Sequence, residues 1–299
     1  MLLLLLAAVC AGIIALAARW RSRQHSATQL LARLPAEDAV VLYIDFAALR
    51  QAGVLRILEG SDLIQEPEYR AFREGSGFDY LRDLDWVLAS LGPEGSYFLL
   101  RGRFRWSTLN RYVTQQGGTC RYAFCRVPGS APDRRISYFP VASNLLALGV
   151  GRDAYAAYRL QEPNPGTRPG TWPAQPAWFF VPATRLRRTE ALPSGARLLA
   201  QALEATEGVL LSAGLRGQQM EVALEVACRS GQDAEALASQ LRQITALLRE
   251  SIAAEKKQPD PRDLSGVLTS GVFESKERTV YGRWPLERTF LEAMAGGAQ

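Results

Sequence analysis

The chain opens on an unbroken apolar run, Leu2 to Ala18, and then alternates between short β-like runs and amphipathic stretches. The run has 17 residues, carries no charge and is followed by Arg19, Trp20, Arg21 and Arg23. That length is the lower limit for crossing a hydrocarbon core about 30 Å thick, and Trp20 with the arginines suits a headgroup layer. Residues 1–18 therefore read as a transmembrane anchor or signal segment, with an uncleaved anchor favoured. Ala15-Leu16-Ala17 offers a small-residue cleavage site, but no Lys or Arg precedes the run and Arg19 would crowd the new terminus. Val9 is too bulky before Cys10 for a lipoprotein site. Residues 19–36 read as a juxtamembrane tether.

The remaining pattern divides at residues 161–176, where Pro163, Pro165, Pro169, Pro173 and Pro176 lie with Gly166 and Gly170. This composition resists helix and strand alike, so it reads as a linker between a first domain, 37–160, and a second, 177–299. Both halves start alike. Pro35-Ala36 leads through Ala39 to Val40–Phe46 in one, and Pro173-Ala174 through Ala177 to Trp178–Val181 in the other. A helical stretch follows, Glu68–Glu74 or Arg197–Ala205, with Ser194 as a candidate N-cap for the latter.

Each half then shows a hairpin. The first turns at Gly92–Gly95 between Trp86–Leu91 and Tyr97–Phe104. The second turns at Arg216-Gly217 between Val209–Leu215 and Met220–Cys228. A helix comes next, Ser107–Gln116 or Asp233–Ala254. The latter carries Leu237, Leu241, Ile244, Leu248 and Ile252 on one face and ends at Lys256, Lys257 and Pro259. More strands and a short helix, Asp153–Leu160 or Glu287–Met294, close each half. The fold class expected is α+β, a tandem duplication of a β-α-β-β-α-β unit with mostly antiparallel sheets and a ferredoxin-like order of elements, behind one N-terminal transmembrane helix.

Composition narrows the chemistry. The chain has 299 residues, 47% hydrophobic and 22% charged, as expected of a globular protein. Its one histidine, His25, lies beside the apolar run. A histidine triad, a multi-histidine metal site and an H-E-x-x-H helix are therefore excluded within this chain. Gly149 to Ala154 fits G-x-G-x-x-A after a strand-like run. The proline-rich segment follows where a dinucleotide fold needs a second strand, so the glycines read as easing a strand-to-helix turn. The sequence implies no cofactor and no metal. Acid pairs such as Asp83 with Asp85 and Glu66 with Glu68 leave room for a carboxylate-dependent hydrolase with a cleft between the halves.

Charge is unevenly spread around a net of +5. Tyr97 to Arg135 holds eight arginines against Asp133 alone, whereas Glu59 to Glu94 holds nine acids against three arginines. Arg101, Arg103 and Arg105 alternate with Gly102 and Phe104, so on a strand all three would share one face, a candidate anion-binding stripe. These arginines would pair with the acidic stretch, face anionic headgroups, or bind an acidic partner. Nucleic acid is disfavoured by an extracytoplasmic location.

Cys120 and Cys125 would face each other across a hairpin turning at Tyr122-Ala123, a candidate disulfide that implies an oxidising compartment. Cys228, ending the alternating run from Met220, reads as a buried core thiol. The positive-inside rule puts the arginines after the anchor in the cytoplasm, while the disulfide puts the bulk of the chain outside it.

Leu34-Pro35-Ala36-Glu37-Asp38, leading into Val41-Leu42-Tyr43-Ile44-Asp45 behind an N-terminal anchor, resembles uncharacterised bacterial cell-envelope proteins of unknown function. Their extracytoplasmic part opens on a similar L-P-x-D strand. The resemblance implies a bacterial cell-envelope protein with a tandem α+β exterior and carries over no functional residue; with the anchor and the candidate disulfide, the localisation expected is single-pass in the bacterial inner membrane with the bulk of the chain periplasmic or extracellular. The function expected is non-enzymatic binding of another protein or an envelope component. The alternatives are the hydrolase and an anionic lipid or polymer binder using the arginine strand.

Overall fold

The computed structural model describes residues 27–55, 67–129, 131, 134–164, 172–186, 197, 199, 202, 203, 206–216 and 219–295. The apolar run, His25, Cys10, Glu66 and Ser194 lie outside them. Among the described residues no helix is long and apolar enough to cross a membrane.

The β-rich run after Pro35 forms strand β1 (Val40–Asp45). Asp45 then caps helix α2 (Phe46–Gln51), accepting from the Ala48 amide at 2.8 Å. Helix α3 (Pro67–Ser76) and α4 (Tyr80–Asp83), the latter capped by Asp79, lead to the hairpin β2 (Leu84–Leu91) and β3 (Gly95–Gly102). Helix α5 (Trp106–Gln115) is followed by β4 (Thr119–Arg121), β5 (Phe124–Pro128), β6 (Arg135–Ala142) and β7 (Leu145–Gly151). A 3-10 helix (Ala156–Leu160) closes this half.

The second half runs β8 (Ala177–Pro182), α6 (Ala183–Leu186), β9 (Gly208–Arg216), β10 (Gln219–Ala227) and α7 (Gly231–Ala254). It ends with α8 (Leu264–Thr269), β11 (Val272–Lys276), β12 (Thr279–Leu286) and α9 (Arg288–Ala295). Ser230 and Asp233 cap α7 reciprocally: the Asp233 amide donates to Ser230 Oγ at 3.0 Å, and that hydroxyl donates to Asp233 Oδ2 at 2.8 Å. Ala234, Leu237, Ala238, Leu241 and Thr245 form its buried stripe, the helical spacing that the leucines predicted.

All strands belong to one 12-stranded sheet in the order β11-β12-β10-β9-β8-β1-β2-β3-β7-β6-β5-β4. Every pairing is antiparallel, so the α+β class with antiparallel sheet holds. A ferredoxin-like order would place parallel strands side by side, and this sheet has none. The halves share the sheet: β1 pairs with β8, Val41 opposite Phe180 and Tyr43 opposite Trp178. Outward from that seam the strands run β1-β2-β3-β7-β6 on one side and β8-β9-β10-β12-β11 on the other. Each half thus carries one strand more than the expected unit, and the first adds the β4–β5 hairpin at its edge.

Helices α5 and α7 cover the same face. Leu109 and Val113 of α5 pack on Cys125, Tyr138 and Leu146, while Leu237 and Leu241 of α7 pack on Leu224, Val226 and Phe273. On the opposite face of the first half, helix α1 (Ala27–Leu31) and the 3-10 helix bury Leu30, Leu31, Leu34, Ala156 and Leu160 against Val41, Leu88 and Leu99. Residues 27–36 are therefore part of the fold. The tether expected at 19–36 gives way there because three leucines at helical or near-helical spacing gain more by burial than by exposure. The described ends of the proline-rich segment are docked as well. The Asn164 amide donates to Ala32 O at 2.5 Å, the Asp45 amide donates to Pro176 O at 2.6 Å, and Trp172 stacks on Trp178 with centroids 4.5 Å apart.

Candidate functional site

Arg101, Arg103 and Arg105 do not share a strand face. Strand β3 ends at Gly102. A Cβ there would lie 2.4 Å from Asp83 O, and the Gly102 and Arg103 amides turn to Asn144 O (3.0 Å) and Asp83 O (2.8 Å). The alternation stops with the ladder. Arg101 stays on β3 in register with Trp86 and Leu145, near the Tyr43 hydroxyl that donates to Asp45 Oδ2 at 3.3 Å. Burial and then Asp45 push the Tyr43 pKa up, and Arg101 opposes them. Arg103 donates to Arg82 O and lies 3.3 Å from Asp83 Oδ1. Arg105 is the N-cap residue of α5.

Several arginines that make no ion pair among the described residues lie together at the outer edge of the first half. The β4–β5 hairpin turns at Tyr122 and Ala123, both in the left-handed region (φ 49° and 69°), as a two-residue turn with matching twist requires. Cys120 and Cys125 face each other across it and form a disulfide, with Cα atoms 4.1 Å apart. The hairpin thus holds Arg121 and Arg126 on a cross-linked frame. Beside it lies a concavity of about 380 Å³ lined by Gly117, Gly118, Thr119, Arg126, Arg134 and Arg135, among others. Gly118 is required there, because a Cβ would meet Arg126 O at 2.6 Å. Arg134 and Arg135 are exposed. Among the described residues none of Arg111, Arg121, Arg126, Arg134 and Arg135 makes an ion pair.

Aromatic rings adjoin these cations. Arg126 donates to the Tyr155 hydroxyl at 2.9 Å, and its guanidinium carbon lies 5.0 Å from the centre of that ring. Tyr158 stacks on buried Phe124 at 4.1 Å, and Tyr155 lies 5.7 Å from Phe124 and 6.1 Å from Tyr158. The two tyrosine planes agree within 4°. The distances exclude Phe124 from lying between the tyrosines, since a sandwich would hold them farther apart than 6.1 Å. Both remain open to solvent, Tyr155 at 48% and Tyr158 at 43%. A second concavity, of about 290 Å³, begins at Tyr158 and Arg159 and reaches Pro163 and Asn164.

The G-x-G-x-x-A stretch sets this geometry. A Cβ on Gly149 would lie 2.5 Å from the Ala157 amide nitrogen, so glycine lets the 3-10 helix approach β7 and present its tyrosines. The Ala157 amide then donates to buried Ser137 Oγ at 3.0 Å, and Asp153 Oδ1 accepts from the Tyr155 amide at 2.9 Å.

Of the acids singled out in the sequence, Asp83 serves the backbone. Asp83 Oδ2 accepts from the Asp79 amide at 3.0 Å beside Arg103, and Asp79 Oδ1 accepts from the Tyr69 hydroxyl at 3.1 Å. The described carboxylates with displaced pKa values, Glu235 and Asp260, are both held low, by Ser275 with Arg242 and by Arg262. A general acid would need the opposite shift. Cys228 lies just past β10, half-buried and free, with burial and Asp233 raising its thiol pKa.

No protein family matches the sequence, and no curated protein does. Solved structures do. Crystal form I of TP0453 is similar at TM-score 0.50 and 10% identity over 89% of this chain and 95% of that one. Crystal form IV is similar at TM-score 0.50 and 12% identity over 89% and 96%. At this identity the likeness is one of fold, and it spans nearly the whole of both chains.

Proposed function

We propose that this chain is a membrane-anchored protein of the bacterial envelope that binds an anionic partner, without transforming it, through the outer edge of its first half. The observation carrying this reading is the set of arginines, Arg126, Arg134 and Arg135, that line one concavity and make no ion pair among the described residues. Like charges held together without compensation repel one another, and an anion relieves that repulsion. Arginine is suited to carboxylate and phosphate because its planar fork donates two parallel hydrogen bonds.

The Cys120–Cys125 disulfide supports an oxidising location for the bulk of the chain, with residues 2–18 as the single span. The matching strand orders on either side of the β1–β8 seam support an origin by duplication. In this reading the second half braces the sheet and the elaborated edge of the first half does the binding.

The test uses the full chain in nanodiscs with polyglutamate, polygalacturonate and phosphatidylglycerol vesicles as anionic probes. Combined Arg126→Ala, Arg134→Ala and Arg135→Ala lowers binding of the preferred probe at least about tenfold, and added salt weakens the wild type. Combined Arg101→Ala, Arg103→Ala and Arg105→Ala leaves it within about threefold. Equal loss in both variants, or turnover of ester, peptide or glycosidic substrates, overturns the proposal.

A further inference from the structure

The cations and the exposed tyrosines form one surface, and their combination names a ligand class. From the β6 side the concavity containing Arg126, Arg134, Arg135 and Ala154 leads to Tyr155, then Tyr158, then the second concavity at Arg159. The two concavities are thus joined by a pair of near-parallel, half-exposed rings. A lipid headgroup needs charge but no aromatic platform, and an acidic peptide reaches guanidinium groups through its side chains without requiring one. A saccharide has both requirements. The C–H face of a sugar ring is apolar and weakly positive, so it packs on the negative face of an aromatic ring. A carboxylate or phosphate on the same residue meets guanidinium groups.

We infer that this surface binds an acidic saccharide. A sugar ring lies against Tyr155 and Tyr158, and its anionic group lies in the concavity of Arg126, Arg134 and Arg135. Arg126 joins the two subsites, because it borders that concavity and is anchored to the Tyr155 hydroxyl. The second concavity, which Tyr158 borders, suits a chain longer than one sugar. Phe124, buried at 8% exposure beneath Tyr158, keeps that ring from collapsing inward. The inference rests on the reading of this edge as the anion-binding site.

The experiment measures binding of polygalacturonate, its methyl ester, neutral dextran, polyglutamate and phosphatidylglycerol vesicles to the full chain in nanodiscs. Polygalacturonate is expected to bind at least about tenfold more tightly than its ester or polyglutamate. Tyr155→Ala is expected to weaken polygalacturonate about tenfold, the size of one aromatic contact, while leaving polyglutamate within about threefold. Tyr155→Phe keeps the ring but removes the hydroxyl that anchors Arg126, so it is expected to weaken polygalacturonate less than Tyr155→Ala does. Thermal unfolding of each variant verifies the fold, and Tyr155, being half exposed, is a site where truncation is tolerated. If polyglutamate or vesicles bind as tightly as polygalacturonate, or Tyr155→Ala changes nothing, the saccharide assignment is wrong while the anion-binding reading stands. If no anionic probe binds, both fail together.

Discussion

The two outer edges of the sheet put their arginines to different uses. In the second half the guanidinium groups cap carbonyls and pair with acids. Arg242 donates to Phe273 O at 3.0 Å and Glu235 Oε1 at 2.9 Å, Arg249 donates to Thr269 O at 2.7 Å, and Arg283 lies 3.3 Å from Glu274. These contacts tie α7 and α8 to the β11–β12 edge. At the opposite end of the sheet, on the β4–β5–β6 edge, Arg121, Arg134 and Arg135 are exposed and Arg126 is half-buried against Tyr155, with no ion pair to them among the described residues. One strand order therefore supports an edge closed by structure and an edge left chemically open. The open edge is also the one with the additional hairpin, the disulfide and the tyrosine pair.

The largest expected effect comes from cutting the seam between the halves. Trp178 is 4% exposed, stacked by Trp172 and Tyr43. Trp178→Ala should cost about 3–5 kcal/mol and split a single denaturant transition into two when followed by separate probes in each half. One transition retained at lower stability would mean that the seam does not set the cooperativity.

Alkaline pH should next separate the halves. Burial raises the pKa of Tyr43, Tyr80, Tyr97 and Tyr138, all in the first half, with Asp45 adding to the shift at Tyr43 and Asp79 at Tyr80. The unfolded chain loses these protons near the ordinary tyrosine value of about 10 while the folded chain holds them. Stability should therefore be level below pH ~10 and fall as pH rises through and above it. Tyr138→Phe should flatten that slope, and an unchanged slope in equilibrium unfolding would remove this account.

The disulfide should matter locally. Its loop is short, with a sequence separation of 5, so Cys120→Ser with Cys125→Ser should lower stability by about 2 kcal/mol in the chain-entropy picture. It should also weaken anion binding, because Arg121 and Arg126 lose their frame. Removing a carbonyl cap is expected to cost less. Arg249→Ala should lose about 1 kcal/mol, read as a lower denaturant midpoint. The smallest stability effect should fall on the open edge. Combined replacement of Arg126, Arg134 and Arg135 by alanine should stay within about 0.5 kcal/mol of wild type, although it abolishes the proposed binding. A loss as large as that of Arg249→Ala would make those arginines structural and erase the contrast between the two edges.

Much of the local structure was legible beforehand. The stripe from Leu237 to Leu241 predicts α7, alternation predicts the β2–β3 and β9–β10 hairpins, and the six residues from Cys120 to Cys125 predict a turn at Tyr122-Ala123. Each depends on residues close in the chain, where periodicity and turn chemistry act directly. The apparent repeat is a harder case. Aligning Pro35 with Pro173 places Val41 opposite number to Phe179, yet Val41 pairs with Phe180 and so shares that residue's face. A similarity of composition can thus be one residue out of step with the sheet, and in a strand one residue reverses the face.

The sequence by itself determined the class of the fold, the positions of its main hairpins and its long helix, and the excess of arginine between Tyr97 and Arg135. Only the tertiary structure decided which arginines share a surface. Arg101, Arg103 and Arg105 look like a stripe because they alternate, but the ladder ends at Gly102 and the acid beside Arg103 comes from 20 residues upstream. Arg126, Arg134 and Arg135 have no common period. They border one concavity, and Arg126 meets Tyr155 at the start of the 3-10 helix, because strand β7 returns beside β6 and Gly149 lets that helix settle close against the sheet. Charge is carried by the residue, whereas its availability depends on the neighbours that folding brings to it.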